Sequence, residues 1–463
     1  MKFLTLPIDM HEIVETQRQF FLTHVTRDVK FRIRALKLLQ KTIREWEPRI
    51  SEALHADLGK SAAEGYMCEI GLVLGSLRDT LSNIRKWSKP RRVMASLAHF
   101  PSSCRVEPQP YGVALIMSPW NYPVLLCLDP LIAALSAGNC CVVKPSSTTP
   151  ATSAVLAEML GSIFPPEYVK VVLGGRENCN ALLEEKFDYI FFTGSPSVGH
   201  GIMEAAARNL TPVTLELGGK SPCIVDATAN IKVAARRIAF GKILNAGQTC
   251  VAPDYLLIHR SCKDEFITEF REAVAEMLGE HPVQNENLTH IINRRHFDRL
   301  MGLMEDATPV VGGQGIAETL RIEPTLLDGV TPGSASMQQE IFGPILPVLC
   351  WDKWEEVEAF VLSRPRPLAS YYFTTDKKAE KRFVQHLSFG GGCVNDTIIH
   401  LAVHGMPFGG IGDSGMGSYH GKTGFDTFTH YKSVLKKANW LDLPFRYQPY
   451  NKLKSSLLRM FLR

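Results

Sequence analysis

The sequence predicts an α/β protein with two successive α/β units behind a helical opening, and three observations carry that prediction. From about residue 111 to 212, short apolar runs ending in turn residues alternate with helix-like segments. Strands that are apolar on both faces belong to a parallel sheet covered by helices on each side. The same alternation resumes after residue 213, and residues 10 to 88 repeat apolar positions at threes and fours, the period of helices with one buried face.

The 463 residues exceed what one core usually organises, so two or three domains are expected. Apolar residues make up 45% and charged residues 21%, which excludes disordered and fibrous classes. Basic and acidic residues number 51 and 47, and the net charge of +4 argues against a nucleic-acid-binding surface spread over the molecule. Eleven cysteines, an odd number without a C-x-x-C pair, match neither a disulfide framework nor a zinc motif, so no metal is expected and a reducing cytoplasm fits best. The N-terminus MKFLTLPIDMHEIVE gives no export signal, and no apolar run of about eighteen residues is present to span a membrane.

In order, FRIRALKLLQKTIREW is the first strongly amphipathic stretch; Pro48 is expected to interrupt it, and IGLVLGSLRDTLSNIRKW resumes it until Pro90. Strands follow in YGVALIMSPW, NCCVVKPS, YVKVVLGG and YIFFTGS, with helices in VLLCLDPLIAALSAG and PATSAVLAEMLGSIF between them. The second unit offers PCIVD, YLLIH and PILPVLCW as strands and IKVAARRIAFGKIL and CKDEFITEFREAVAEML as helices.

Several segments carry candidate chemistry. Cys250 in AGQTCV is either a small packed hydrophobe or a nucleophile. Glu216 in VTLELGG lies on the wet face of a strand or, in a dry pocket, becomes a general base with a raised pKa. Asn121 in SPWNYP either forms a turn or donates to an oxyanion. Lys144 ends a strand where parallel sheets bind ligands, and Gly194 and Ser195 turn into a helix whose N-terminus suits a pyrophosphate. GIGDSG, residues 410 to 415, fits a dinucleotide pattern but follows no strand, so it is a weak fingerprint.

Taken in order, SPWNYP, VVKPS, FFTGSPSVG, LELGGKSP, GQTCVAPDY, QQEIFGPILPV and PFGGIGDSGMGSYHG resemble the NAD(P)-dependent aldehyde dehydrogenases over roughly residues 10 to 436, most closely the class three group of fatty and aromatic aldehyde dehydrogenases. The resemblance implies a Rossmann-type cofactor domain (1–90 and 109–212), an α/β catalytic domain (213–420), a small β oligomerisation element (91–108 and 421–440) and a basic amphipathic tail (441–463). It implies oxidation of medium-to-long aliphatic or aromatic aldehydes to carboxylic acids through a cysteine hemithioacetal and thioester. Cys250 matches the family's nucleophile, Glu216 its base, Asn121 its oxyanion donor, and Tyr122 would line the substrate tunnel. Lys144 matches the lysine at the adenine ribose. Gly194, Ser195, Val198 and Gly199 match the pyrophosphate turn, Leu217 and Gly218 join the cofactor-binding set, and Glu340 and Phe342 match the nicotinamide-ribose contacts.

Two departures stand out. Class three members commonly carry Lys-Pro-Ser-Glu, whose glutamate binds the adenosine ribose; here the position is Ser147, which predicts that NADP serves at least as well as NAD. The tail YQPYNKLKSSLLRMFLR is too short to span a bilayer, so it is expected to pack within the chain or on a partner subunit, with weak peripheral membrane contact as the alternative. The resemblance also implies a homodimer in which the FDTFTHYKSVLKK strand pairs across subunits. A cysteine esterase, an enzyme passing the acyl group to coenzyme A, and a catalytically silent binding protein are the rival readings; the first would not need Lys144 or EIFGP, and Glu216 as a water-activating base speaks against the second.

Overall fold

The computed structural model describes residues 9–462. The first eight residues, for which the sequence gives no export signal, and Arg463 of the basic tail lie outside the described residues. Two large sheets dominate. The first has six strands in the spatial order Gly415–Met416, Val213–Leu217, Tyr189–Gly194, Val113–Met117, Cys140–Lys144 and Val169–Val171; all are parallel except the two-residue edge strand. Successive strands run outward from Val113–Met117 in one direction and then restart on its other side. That reversal leaves a crevice beyond the strand carboxyl ends, where open parallel sheets bind ligands.

The second sheet has seven strands, in the order Thr308–Val311, Thr325–Asp328, Ile345–Trp351, Tyr255–His259, Pro222–Val225, Ala369–Phe373 and Gly391–Val394. Only Thr308–Val311 runs antiparallel. Val213–Leu217 pairs in parallel with Tyr189–Gly194, which places that strand in the first sheet. Apolar periodicity specifies a buried strand but not which sheet receives it.

The helical opening packs on the first sheet, sharing one core with its strands through Leu36, Leu39, Ile43 and Leu54. Pro48 does not interrupt it: one helix runs from Val29 to Leu58 through the proline. An interior proline costs about 3 kcal/mol, but Ile43, Ile50 and Leu54 on either side are wholly buried, and each such side chain contributes roughly 1.5–3 kcal/mol. Packing outweighs local preference here.

A third, antiparallel sheet joins Arg91–Val93, Ser102–Pro110 and Thr429–Lys437, in that order. Thr429–Lys437 pairs residue for residue with Ser102–Pro110, and its outer edge has no partner strand among the described residues. The tail forms the helix Lys452–Phe461 and folds back within the chain: Phe461 stacks on Phe445 with ring centroids 5.3 Å apart, beside Ala98, His99 and Lys437. Leu453, Met460 and Leu462 stay exposed on it. No helix among the described residues is long and apolar enough to cross a membrane.

Candidate active site

Most of the candidate residues gather where the carboxyl ends of the first sheet face the amino ends of the second. Asn121 and Tyr122 follow the strand Val113–Met117, Lys144 ends its own strand, Gly194 ends another, and Glu216 and Leu217 close Val213–Leu217. From the opposite sheet, Cys250 precedes the strand Tyr255–His259, and Glu340 and Phe342 precede Ile345–Trp351.

The segment leading to Cys250 is held in an unusual backbone. Asn245, Ala246 and Gly247 have φ of 52°, 49° and 68°, three consecutive left-handed residues, and non-glycine residues there carry strain that surrounding contacts must sustain. Gly247 is required by crowding as well as by φ, since a Cβ would lie 2.2 Å from the Gly343 carbonyl oxygen. The contacts that sustain the turn are dense. Asn245 N–H donates to Glu64 Oε1 (2.7 Å), Asn245 Nδ2 donates to the carbonyls of Asn121 (2.9 Å) and Gln248 (3.0 Å), and Gln248 Nε2 donates to the carbonyls of Asn245 (3.0 Å) and His290 (3.1 Å). Tyr371 Oη donates to the Val251 carbonyl at 2.5 Å, and Tyr122 Oη lies 2.6 Å from Thr249 Oγ1.

Asn121 is buried, and its Nδ2 donates to the Gln248 carbonyl at 3.0 Å. An amide carries two N–H donors, so one remains for a ligand. Behind it stands an ion pair that sequence reasoning missed: Lys60 Nζ and Glu69 Oε1 are 2.6 Å apart with both side chains wholly buried. Lys60 also donates to the Asn121 carbonyl (2.9 Å) and lies 4.2 Å from the Tyr122 ring centroid, and Glu69 Oε2 accepts from Val124 N–H (2.7 Å). Glu69 lies in a π-helical turn, Tyr66–Ile70, a distortion common at functional sites. In sequence, Lys60 reads only as a residue just past a helix end.

Cys250, Glu216, Tyr122 and Thr193 line one cavity that opens to solvent and is walled chiefly by apolar side chains such as Leu126 and Phe240. Glu216 is 3% exposed, and both carboxylate oxygens lack a hydrogen-bond partner. Burial pushes its pKa well above the usual carboxylate range. The Cys250 thiol is pushed up to about 12, mainly by burial and further by the carboxylates of Glu340 and Glu216.

The neighbouring crevice is more open. Lys144 is buried, burial lowers its pKa, and its ammonium donates to the Pro145 carbonyl at 2.8 Å. Ser147 is exposed beside it. The helix Pro196–Arg208 starts just after Ser195, whose side chain makes no capping bond, and Val198 in its first turn is 50% exposed. Gly199 lies against Leu217, bringing the helix close to the strand. Glu340 closes the crevice near the cysteine. It approaches Gly218 so tightly that a Cβ there would lie 2.1 Å from Glu340 Oε2, its Oε1 is unpartnered, and burial with Asp254 raises its pKa to about 8. Phe342, at φ 51°, sets its ring edge-on to Trp120 at 5.4 Å. The weak fingerprint GIGDSG does something else: Gly415 pairs with Glu216, and the Ser414 carbonyl accepts from Leu217 N–H at 3.1 Å, which fixes the Glu216 strand from its open side.

A half-buried thiol and a buried, unpartnered carboxylate share one apolar cavity beside a crevice with a free helix N-terminus and a lysine, an arrangement suited to an α/β oxidoreductase. Residues 7–434 match the model of the aldehyde dehydrogenase family, and the chain belongs to that family. It is therefore an enzyme that oxidises aldehydes with NAD(P)+. It is similar to the 4,4'-diaponeurosporen-aldehyde dehydrogenase of Staphylococcus aureus, at 46% identity over 96% of this chain and 97% of the relative. It is 41% identical to the dimeric NADP-preferring aldehyde dehydrogenase of Canis lupus familiaris, over 95% of this chain and 97% of the other. Relatives named as aldehyde dehydrogenase family 3 members match at 40–43% identity, in keeping with the class three resemblance. Among solved structures, the substrate-bound state of Staphylococcus aureus AldH superposes with a TM-score of 0.96 at 45% identity, covering 98% of this chain and 100% of that one.

Proposed function

We propose that the cavity takes medium-to-long, largely apolar aldehydes and that Cys250, Glu216 and Asn121 carry their oxidation to carboxylic acids. The observation that supports this most is the meeting of the Cys250 thiol and the partnerless Glu216 carboxylate in one apolar cavity. Cys250 Sγ bonds to the carbonyl carbon, and Glu216, made more basic by burial, accepts the thiol proton. The free Asn121 N–H and the Cys250 backbone N–H hold the oxyanion that forms. Collapse of this hemithioacetal expels hydride and leaves a thioester on Cys250. Glu216 releases the first proton to solvent, then takes one from the water that hydrolyses the thioester to the acid, and returns it to the departing Cys250 sulfur as the thiol re-forms. The nicotinamide, when bound, supplies the hydride acceptor.

The residues of the crevice suit that cofactor. Lys144 would meet the adenosine ribose, Gly194, Ser195 and the first turn through Val198 and Gly199 the pyrophosphate and adenine side, Leu217 and Gly218 the floor, and Glu340 with Phe342 the nicotinamide ribose. The carboxylate oxygen of Glu340 without a partner fits a ribose hydroxyl. Ser147 offers no negative charge against a 2′-phosphate, which supports use of NADP at least as well as NAD, and the relative named as NADP-preferring points the same way. The unpaired edge of Thr429–Lys437 supports a homodimer formed by strand pairing, as does the relative named as dimeric. The two large sheets would then be a cofactor-binding and a catalytic domain, with the small sheet as the oligomerisation element. A cytoplasmic location, with at most peripheral membrane contact through the tail, completes the reading. An aldehyde panel of graded chain length, followed at the nicotinamide absorbance with each cofactor, tests it. Ester cleavage without any NAD(P)H formation, or acyl-CoA as the product, would replace it.

A further inference from the structure

The wall of the Cys250 cavity carries one polar cluster outside the groups assigned above. Ser76, Asp129, His404 and His420 all line it. Ser76 stands on the helix Gly71–Trp87 and Asp129 on Leu125–Ala137, while the two histidines come from the loops before and after GIGDSG. The four converge from distant parts of the sequence, and none of them hydrogen-bonds Cys250, Glu216 or Asn121.

Ser76 Oγ donates to Asp129 Oδ1, and His420 Nε2 lies 3.5 Å from Asp129 Oδ2. Ser76 and Asp129 are buried, and His404 rests against Gly75, where a Cβ would lie 2.7 Å from its Nε2. The second nitrogen of His420, Nδ1, is buried with no partner. Burial lowers the His420 pKa, Asp129 opposes this, and His404 adds to the lowering, so the ring is held toward its neutral form. A neutral imidazole whose Nε2–H faces the carboxylate presents a bare acceptor at Nδ1.

A buried acceptor without a partner is costly unless something that binds there supplies a donor. We propose that this cluster is a subsite for a hydroxyl group on the hydrocarbon part of the aldehyde, which donates to His420 Nδ1 while Asp129 and Ser76 fix the ring. The proposal rests on the reading that aldehydes enter this cavity. A hydroxyl fits better than an ammonium group because the rest of the wall is apolar, where a cation loses far more solvation than a neutral donor. A site that hydrogen-bonds a substrate hydroxyl also rejects analogues lacking it, so the cluster would select hydroxylated chains of one length.

The test compares kcat/KM for terminally hydroxylated alkanals with that for plain alkanals of equal length, over a homologous series, in the unaltered enzyme and in His420→Phe and Asp129→Asn. The expected result is a preference for the hydroxylated compound that peaks at one chain length and falls about tenfold in both variants, the scale of one well-placed hydrogen bond. A ratio identical in the unaltered enzyme and the variants at every length would overturn the subsite, as would a preference for the plain alkanal throughout. A second readout needs no variant: terminal diols should inhibit the unaltered enzyme more strongly than monoalcohols of equal length, although they are less apolar, and weaker or equal inhibition at every length also overturns it. Oxidation of neither aldehyde type would instead remove the underlying reading, and the subsite with it.

Discussion

The two halves of the site are built on opposite principles. Around Cys250 the backbone is left-handed for three residues, the side chains are buried, and nearly every polar group of the turn is paired inside the protein. In the crevice proposed for the cofactor, the helix start at Ser195 is uncapped, Val198 and Ser147 are exposed, and Lys144 donates to the adjacent carbonyl. The contrast teaches where each half meets its demands. A nucleophile must be aimed before substrate arrives, so its strain is offset by permanent contacts; a crevice that takes a soluble cofactor must leave its donors for the ligand.

That contrast can be broken at several points, beginning with the largest effect. Cys250→Ala should abolish aldehyde oxidation, a loss of about a millionfold or beyond detection, while dinucleotide binding, measured by fluorescence titration, persists. Equal loss of binding would show that the two halves are not separable. Asn121→Ala should lower kcat by about a hundredfold to a thousandfold in steady-state assays, and Lys60→Met, acting through the Asn121 turn, should show a smaller loss in the same measurement.

Glu216→Gln gives a sharper pair of readings. Pre-steady-state mixing should show one rapid burst of NAD(P)H followed by turnover slowed about a hundredfold to ten-thousandfold, because thioester hydrolysis lacks its base. The same variant should be more stable than the parent. Glu216 has a folded pKa raised above its unfolded value, so the native state binds the extra proton and stability falls as pH rises from the ordinary carboxylate range toward the raised value. Thermal melts should therefore show the stabilisation by Gln growing as pH rises above the ordinary carboxylate range; a gain independent of pH would contradict the burial of a titrating carboxylate.

The smallest expected effect belongs to the open half. Ser147→Glu should shift the ratio of kcat/KM for NADP over NAD by about tenfold toward NAD, the scale of one exposed like-charge contact with phosphate, and leave the aldehyde dependence alone. A parent enzyme preferring NAD by tenfold or more would already refute the role given to Ser147.

Much of this was legible in the sequence because it is local. Apolar runs ending in turns specified the strands Val113–Met117, Cys140–Lys144 and Tyr189–Gly194, and the motif order pointed to Cys250, Glu216 and Asn121. Pro48 misled because a helix boundary was read from one residue, whereas the cost is settled by the buried side chains on either side. The strands Ala369–Phe373 and Gly391–Val394 escaped notice, the second because two glycines and a short length blunt its strand signal.

The sequence alone determined the class of chain, the alternation of parallel strands and helices, and the family that its ordered motifs mark, because periodicity and short motifs are written within a few neighbouring residues. The tertiary structure decided that Val213–Leu217 completes the first sheet, that Lys60 and Glu69 brace the Asn121 turn, and that Ser76, Asp129 and His420 meet on one cavity wall. Most of those contacts join segments tens to hundreds of residues apart, and only the packing of helices and strands into one core brings them within hydrogen-bond distance.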